Sequence, residues 1–155
     1  MDAPRFPDAV EAAHERLFPL IRRTPIEPAL TFARDGQHVW LKLECNQYTR
    51  SFKVRGALNR LRTLAPEAAA RGVVTASTGN HGLAVTFAMS RTGIGGVIYL
   101  PETADDAKVA KLKARGAVLA FHGQDAVETE RFARAEAERT GATYVSPYND
   151  PEVVA

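Results

Sequence analysis

The sequence predicts an α/β fold in which an open, parallel, twisted sheet carries helices on both faces. Short runs rich in β-branched residues are candidate buried strands, at 72–76, 95–100, 117–121 and 142–146. Segments with helical spacing separate these strands, at about 80–92, 104–115 and 125–139. Glycines follow the helical segments, as expected where helices end, at Gly93, Gly116 and Gly141. Strands that alternate with helices of this length predict βαβ units with right-handed crossovers.

The first fifty residues predict one helix followed by extended segments. Apolar side chains recur at helical spacing over residues 8–23, with Asp8 as a candidate N-cap and Pro19 as a kink. The dipeptide at 24–25 favours extended backbone, because the residue before a proline avoids the helical region. The apolar run 39–43 is the first predicted strand.

The composition excludes several classes of function. A formal net charge of +2 is too small to indicate nucleic-acid binding. No apolar run is long enough to span a bilayer, and the N-terminus lacks the apolar core of a signal peptide. The single cysteine, Cys45, has no neighbouring His or Cys, which argues against a metal site and fits a reducing compartment. We therefore expect a cytoplasmic protein without metal, membrane or nucleic-acid partners.

The stretch 51–57, Ser-Phe-Lys-Val-Arg-Gly-Ala, is the first candidate for chemistry. Ser51 is a candidate N-cap, which places Lys53 in the first turn of a helix. The positive end of the helix dipole disfavours an ammonium ion there, and a neutral lysine amine can attack a carbonyl to form an imine. Taken alone, the stretch is better explained by a solvated surface lysine beside an aromatic side chain that packs inward, so a second motif is needed.

The turn 77–82, Ser-Thr-Gly-Asn-His-Gly, provides that second motif. It follows the candidate strand 72–76, and ligands of open α/β sheets bind beyond the carboxyl ends of the strands. Two hydroxyls, an amide side chain, two glycines and the free N–H groups of a helix start can hold a carboxylate or a phosphate. The alternative is a well-capped turn, with Ser77 or Thr78 as the cap.

Together and in this order, the two motifs resemble the fold-type II pyridoxal-phosphate enzymes (the tryptophan synthase β-like superfamily), in the threonine/serine dehydratase and serine racemase branch. The resemblance continues at 24–26, 41–44, 100–101 and 149–153. It implies that Lys53 holds pyridoxal 5′-phosphate as an imine and takes the Cα proton, that Phe52 packs near the cofactor ring, and that Asn80 hydrogen-bonds the cofactor's 3′-oxygen. It also implies a set of residues that hold the substrate carboxylate, namely Ser77, Thr78, Gly79, Asn80 and His81.

The activity implied by this resemblance is that of an ammonia-lyase (dehydratase). Such an enzyme eliminates water from L-threonine, L-serine or a related hydroxy amino acid and gives a 2-oxo acid and ammonia. An amino-acid racemase or β-replacement enzyme on the same cofactor is one alternative. A non-catalytic α/β module that binds a small anion or a partner chain is another. Thr78 stands where racemases carry a serine, which favours elimination because threonine is stiffer and bulkier.

The family resemblance also implies a domain division. Residues 1–50 are expected to be the incomplete N-terminal portion of a large domain, 51–148 the small α/β domain, and 149–155 the start of a return to the large domain. The family's glycine-rich phosphate loop and its group facing the pyridine nitrogen have no counterpart in this sequence. We expect a truncated form with weak activity alone, which forms a homo-oligomer or pairs with a missing C-terminal half. We also expect exposed apolar surface at Trp40, Leu41 and Leu43.

Overall fold

The computed structural model describes residues 6–155, which form helices and two sheets. The described α-helices are α1 (Phe6–Leu17), α2 (Lys53–Arg62), α3 (Pro66–Arg71), α4 (Asn80–Thr92), α5 (Asp106–Lys113), α6 (Ala126–Thr140) and α7 (Pro151–Val154). The described strands are β1 (Ile26–Pro28), β2 (Trp40–Lys42), β3 (Val73–Ala76), β4 (Gly96–Leu100), β5 (Leu119–Phe121) and β6 (Thr143–Tyr144). Strands β1 and β2 form an antiparallel pair, and the other four form a parallel sheet in the order β5-β4-β3-β6. The predicted α/β fold with a parallel sheet is confirmed.

Helices cover both faces of the parallel sheet, because successive side chains of a strand point to opposite sides. On one face α4 packs against the strands and α2 packs against α4. The core on that side includes Val54, Leu58, Leu83, Val85, Ile98, Leu100, Leu112 and Val145. On the other face α6 packs against β3, β4 and β6. The smaller core there comprises Val74, Ala133 and Ala137, with Ala76, Tyr99, Ala142 and Tyr144 against it.

Several predicted boundaries are wrong by a few residues. Helix α1 ends at Leu17 rather than at residue 23, because Pro19 cannot continue it. The helix already includes Phe6, so Asp8 lies in its first turn instead of capping it. At the other helices, Gly93 and Gly141 adopt the left-handed conformation at the C-caps of α4 and α6, as predicted.

The antiparallel pair β1–β2 exposes apolar side chains. Trp40 and Leu41 are exposed, at 59% and 44%, as expected, whereas Leu43 is half-buried. Leu17 of α1 lies in the same core as α2 and α4. The assignment of residues 1–50 and 149–155 to a larger domain stays a prediction.

Within residues 6–155 no helix has the length and apolar character needed to cross a membrane.

Candidate active site

Lys53 is the first residue of α2, so it lies in the first helical turn as predicted. The cap position belongs to Phe52 and not to Ser51, which corrects the prediction of Ser51 as the N-cap. Phe52 itself has helical dihedral angles, and no side-chain hydrogen bond is made from this cap position. The Ser51 hydroxyl nevertheless accepts a hydrogen bond from the Lys53 backbone N–H, at 3.3 Å. Ser51 therefore still satisfies one donor at the start of the helix.

The Lys53 amine lies beside the segment that follows β6. Its Nζ donates to the carbonyl oxygen of Pro147 at 2.7 Å and lies 5.2 Å from the centroid of the Phe52 ring. A cleft of about 380 Å³ opens here, lined by Lys53 and Phe52 together with Pro147 and Tyr148. Phe52 is 57% exposed, so its ring is available to pack against a ligand in this cleft.

The second motif forms the turn between β3 and α4. Ser77 and Thr78 are half-buried, Gly79 and Asn80 are exposed, and His81 is buried. Gly79 is the N-cap of α4 and has no side chain to accept from the N–H groups of the first turn. The Ser77 hydroxyl accepts from the Gly79 N–H at 3.2 Å, so it stabilises the turn and leaves the helix donors free. The turn can therefore bind an anion through backbone N–H groups.

Gly82 lets the turn fold tightly against its own helix. A Cβ atom at this position would lie 2.4 Å from the Ser77 carbonyl oxygen and 3.3 Å from Leu112 Cδ2. Real Cβ atoms do not approach backbone oxygen that closely, so only glycine fits here without a shift of the turn.

His81 connects this turn to the segment after β6. Its Nε2 lies 3.0 Å from the Val145 carbonyl oxygen, and its Nδ1 is buried without a hydrogen-bond partner. Burial and, to a smaller extent, the Lys53 charge lower the pKa of His81 to about 4, against the partly opposing effect of the Val145 hydrogen bond. The ring is therefore neutral at physiological pH, and Nε2 carries its proton because a carbonyl can only accept.

The two sequence motifs meet at the same edge of the parallel sheet. Both contact the segment 145–147, which leaves the carboxyl end of β6, the neighbour of β3. The turn 77–81 leaves the carboxyl end of β3, and the helices that begin with Lys53 and Asn80 pack against each other. The structure therefore brings the lysine and the turn together.

An ion pair fixes the start of α2 to the chain after β2. Arg55 donates to both carboxylate oxygens of Glu44, at 2.9 and 2.8 Å, and the Thr24 hydroxyl donates to the same carboxylate at 2.5 Å. The Arg55 hydrogen bond is the main cause that lowers the pKa of Glu44, against the opposing effect of burial. Sequence reasoning did not identify this pair or the Pro147 carbonyl, although Thr24, Glu44 and Arg55 all lie within the motifs that carry the family resemblance.

The comparison with known proteins identifies the family. The family model described as "pyridoxal-phosphate dependent enzyme" matches residues 17–155. The chain belongs to this family. The residues at the site fit such a cofactor, because a primary amine lines an open cleft and a turn with free N–H donors lies at the same sheet edge. The role of each site residue stays a prediction.

Individual members of the pyridoxal-phosphate family match over nearly the whole chain. The chain is 38% identical over 148 residues to the catabolic L-threonine dehydratase of Staphylococcus aureus strain N315, covering 94% of this chain and 43% of that protein. The structure of maize serine racemase matches with a TM-score of 0.85 and 32% identity, over 95% of this chain and 45% of that one. The processed form of threonine deaminase isoform 2 from Solanum lycopersicum matches with a TM-score of 0.88 and 29% identity, over 99% of this chain and 43% of that one. The chain thus spans less than half the length of each of these relatives.

Proposed function

We propose that this chain carries the cofactor lysine and the carboxylate-binding turn of a pyridoxal-phosphate-dependent ammonia-lyase. The reaction is the elimination of water from L-threonine, L-serine or a related hydroxy amino acid, which gives a 2-oxo acid and ammonia. One observation carries the proposal: the Lys53 amine and the turn 77–81 lie at one sheet edge, joined through the segment 145–147. The similarity to a threonine dehydratase and a threonine deaminase supports the choice of substrate.

Lys53 is proposed to bind the cofactor and to move the substrate proton. When bound, pyridoxal phosphate supplies an electron sink for negative charge at the substrate Cα. The Lys53 amine would hold the cofactor and, when free, would take the proton from the substrate Cα. Pro147 offers this amine a carbonyl acceptor in the released state, at the 2.7 Å seen in the structure. Phe52 is proposed to pack on the cofactor ring, and Asn80 to donate to its 3′-oxygen.

The turn is proposed to hold the substrate carboxylate, largely through backbone N–H groups. The set is the one implied by the family resemblance: Ser77, Thr78, Gly79, Asn80 and His81. The turn lies at the start of the 13-residue helix α4, where the helix dipole favours a negative charge. A carboxylate bound there would lie at the same sheet edge as the Lys53 amine.

Borohydride reduction tests the assignment of Lys53. The chain is mixed with pyridoxal phosphate, its absorption spectrum is recorded before and after reduction, and the reduced adduct is located by peptide mapping. We expect the label on Lys53, its loss in Lys53→Ala, and its retention in the control Lys108→Ala, which removes an exposed lysine of α5. Equal labelling of many lysines, or a dominant label elsewhere, would refute the proposal.

A racemase on the same cofactor is the second candidate, favoured by the match to maize serine racemase. Release of 2-oxo acid from L-threonine or L-serine, measured beside formation of the opposite enantiomer, separates the two reactions. A non-catalytic binding module would keep its ligand in Lys53→Ala. The domain division, a homo-oligomer or second half, and the cytoplasmic location favoured by the single Cys45 stay predictions.

A further inference from the structure

The buried His81 side chain makes one hydrogen bond, and its direction is fixed. The residue is only 4% exposed, and its Nε2 donates to the Val145 carbonyl oxygen at 3.0 Å. The other ring nitrogen, Nδ1, has no partner and is shielded from solvent. A buried polar atom without a partner is costly, so the side chain contributes something other than simple packing at this position.

The Val145 carbonyl is held from two directions. Besides His81, the fully buried Thr75 hydroxyl of β3 donates to the same oxygen at 2.8 Å. The Val145 backbone N–H donates in turn to the Val74 carbonyl at 2.8 Å. Val145 is therefore fixed at both its donor and its acceptor, beyond the last residue of the short strand β6.

The chain downstream of Pro147 is held as well. The buried Ser146 hydroxyl accepts from the N–H groups of Tyr148 and Asn149, at 3.4 and 3.0 Å. The Tyr148 hydroxyl donates to the Glu130 carboxylate of α6, at 2.6 and 2.7 Å from its two oxygens. Pro147 lies between these two sets of contacts, and its carbonyl accepts from the Lys53 amine.

We propose that His81 is a positioning residue for Lys53: its neutral ring, together with Thr75, fixes Val145 and thereby the Pro147 carbonyl that holds the amine. Val145 and Pro147 are two residues apart, a span of about 7 Å at most, so a shift at one is passed to the other. Displacements of about 1 Å at a reacting group are enough to cost large factors in rate or affinity. The inference rests on the proposed function, in which Lys53 carries the cofactor.

The charges around His81 favour the neutral ring that this role needs. Lys53 is the charged group that acts on the His81 ring, and a second positive charge beside it is unfavourable. A protonated ring would also present a buried N–H at Nδ1, where no acceptor lies. The ring is therefore held in the Nε2–H form that donates to Val145.

The test uses the 155-residue chain and five variants, one of which combines Thr75→Val with His81→Leu. His81→Leu removes the donor, His81→Gln restores a donor that can reach Val145, and Thr75→Val removes the second donor without a change of shape. Thr86→Val is the control, because Thr86 is buried in the same helix but bonds only to Gly82. ¹⁵N NMR of the cofactor-free chain reports the His81 tautomer and the resonances of residues 145–149. Absorbance titration with pyridoxal phosphate, followed by borohydride trapping, reports adduct formation at Lys53.

We expect the Nε2–H tautomer in the unmodified chain and shifted 145–149 resonances in His81→Leu. Loss of one hydrogen bond corresponds to about a fivefold lower affinity of Lys53 for pyridoxal phosphate. The affinity for pyridoxal phosphate should fall further in the combined Thr75→Val/His81→Leu chain, and His81→Gln should recover most of it. Thr86→Val should change neither the 145–149 resonances nor adduct formation at Lys53. A Nδ1–H tautomer, or 145–149 resonances that do not move in His81→Leu, overturns the inference without the cofactor. If Lys53 is labelled equally well in His81→Leu and the unmodified chain, the inference fails and the proposed function stands. If the unmodified chain gives no Lys53 adduct, the proposed function fails, and the role of His81 toward Lys53 fails with it.

Discussion

Replacement of Gly82 by alanine should displace the turn 77–81, the proposed carboxylate site. The added Cβ would lie 2.4 Å from the Ser77 carbonyl oxygen, whereas ordinary contacts begin at 3.4 Å, so the turn and the helix must separate by about 1 Å. The clashing atom belongs to the backbone and cannot rotate away. Alanine is the better helix former by about 1 kcal/mol, and overpacking costs about 1–3 kcal/mol. We expect the free energy of unfolding to fall by up to about 2 kcal/mol and anions to bind more weakly at the turn.

Urea unfolding followed by circular dichroism measures the free energy of unfolding. Gly95→Ala is the matched control, because a Cβ there meets no atom within 4 Å. The affinity of each chain for a carboxylate ligand, measured by amide shifts of residues 77–81, reports the position of the turn. If Gly82→Ala is as stable as the control and binds the carboxylate equally well, the close approach of Ser77 to α4 does not determine the shape of the turn.

Three further predictions concern the contacts that hold the site's helices, each measured by urea unfolding. Glu44→Gln should cost about 1 kcal/mol at neutral pH, since the pair with Arg55 is partly exposed. Because Arg55 lowers the pKa of Glu44, the stabilisation by this ion pair is present above about pH 4.5 and is lost as the pH falls through the lowered pKa. If Glu44→Gln unfolds in acid at the same pH as the unmodified chain, this prediction is wrong. Asn59→Leu should lower the free energy of unfolding by about 1–3 kcal/mol, because the fully buried amide donates to the Glu152 carbonyl at 2.8 Å. An unchanged free energy of unfolding would mean that water takes the place of the amide as donor to this carbonyl. Asp125→Ala should cost about 1 kcal/mol, because the carboxylate caps α6 through two N–H groups at 2.9 Å; no loss would show that this cap is dispensable.

The alternation of strands and helices could be predicted because local signals and tertiary packing agree there. Helix α4 has the predicted bounds, 80–92, since a glycine lies at each end. Strand β6 is shorter than predicted, because 143–144 is the only part of the run 142–146 that pairs in the sheet. In the register of β6 on β3, residues 145–146 continue opposite Thr75 and Ala76. The Val145 N–H still donates to the Val74 carbonyl, but the Val145 carbonyl accepts from the Thr75 and His81 side chains.

The candidate site could be predicted only as far as side chains reveal it. Lys53 and the turn 77–81 stand out as motifs, and the structure places them together. The Pro147 carbonyl leaves no trace in the sequence, because any residue has a backbone oxygen. The sequence places the cap of α2 one residue too early, at Ser51, because hydroxyl residues favour both the cap and the positions beside it.

The hydrogen bond from Lys53 to Pro147 joins residues 94 positions apart in the chain. Closure of so long a loop costs entropy that is recovered only when the intervening strands have paired. The Lys53 amine should therefore reach its place late in folding, after the sheet has formed. A nascent or partly unfolded chain would leave that amine unrestrained, so the proposed chemistry would be possible only after folding is complete.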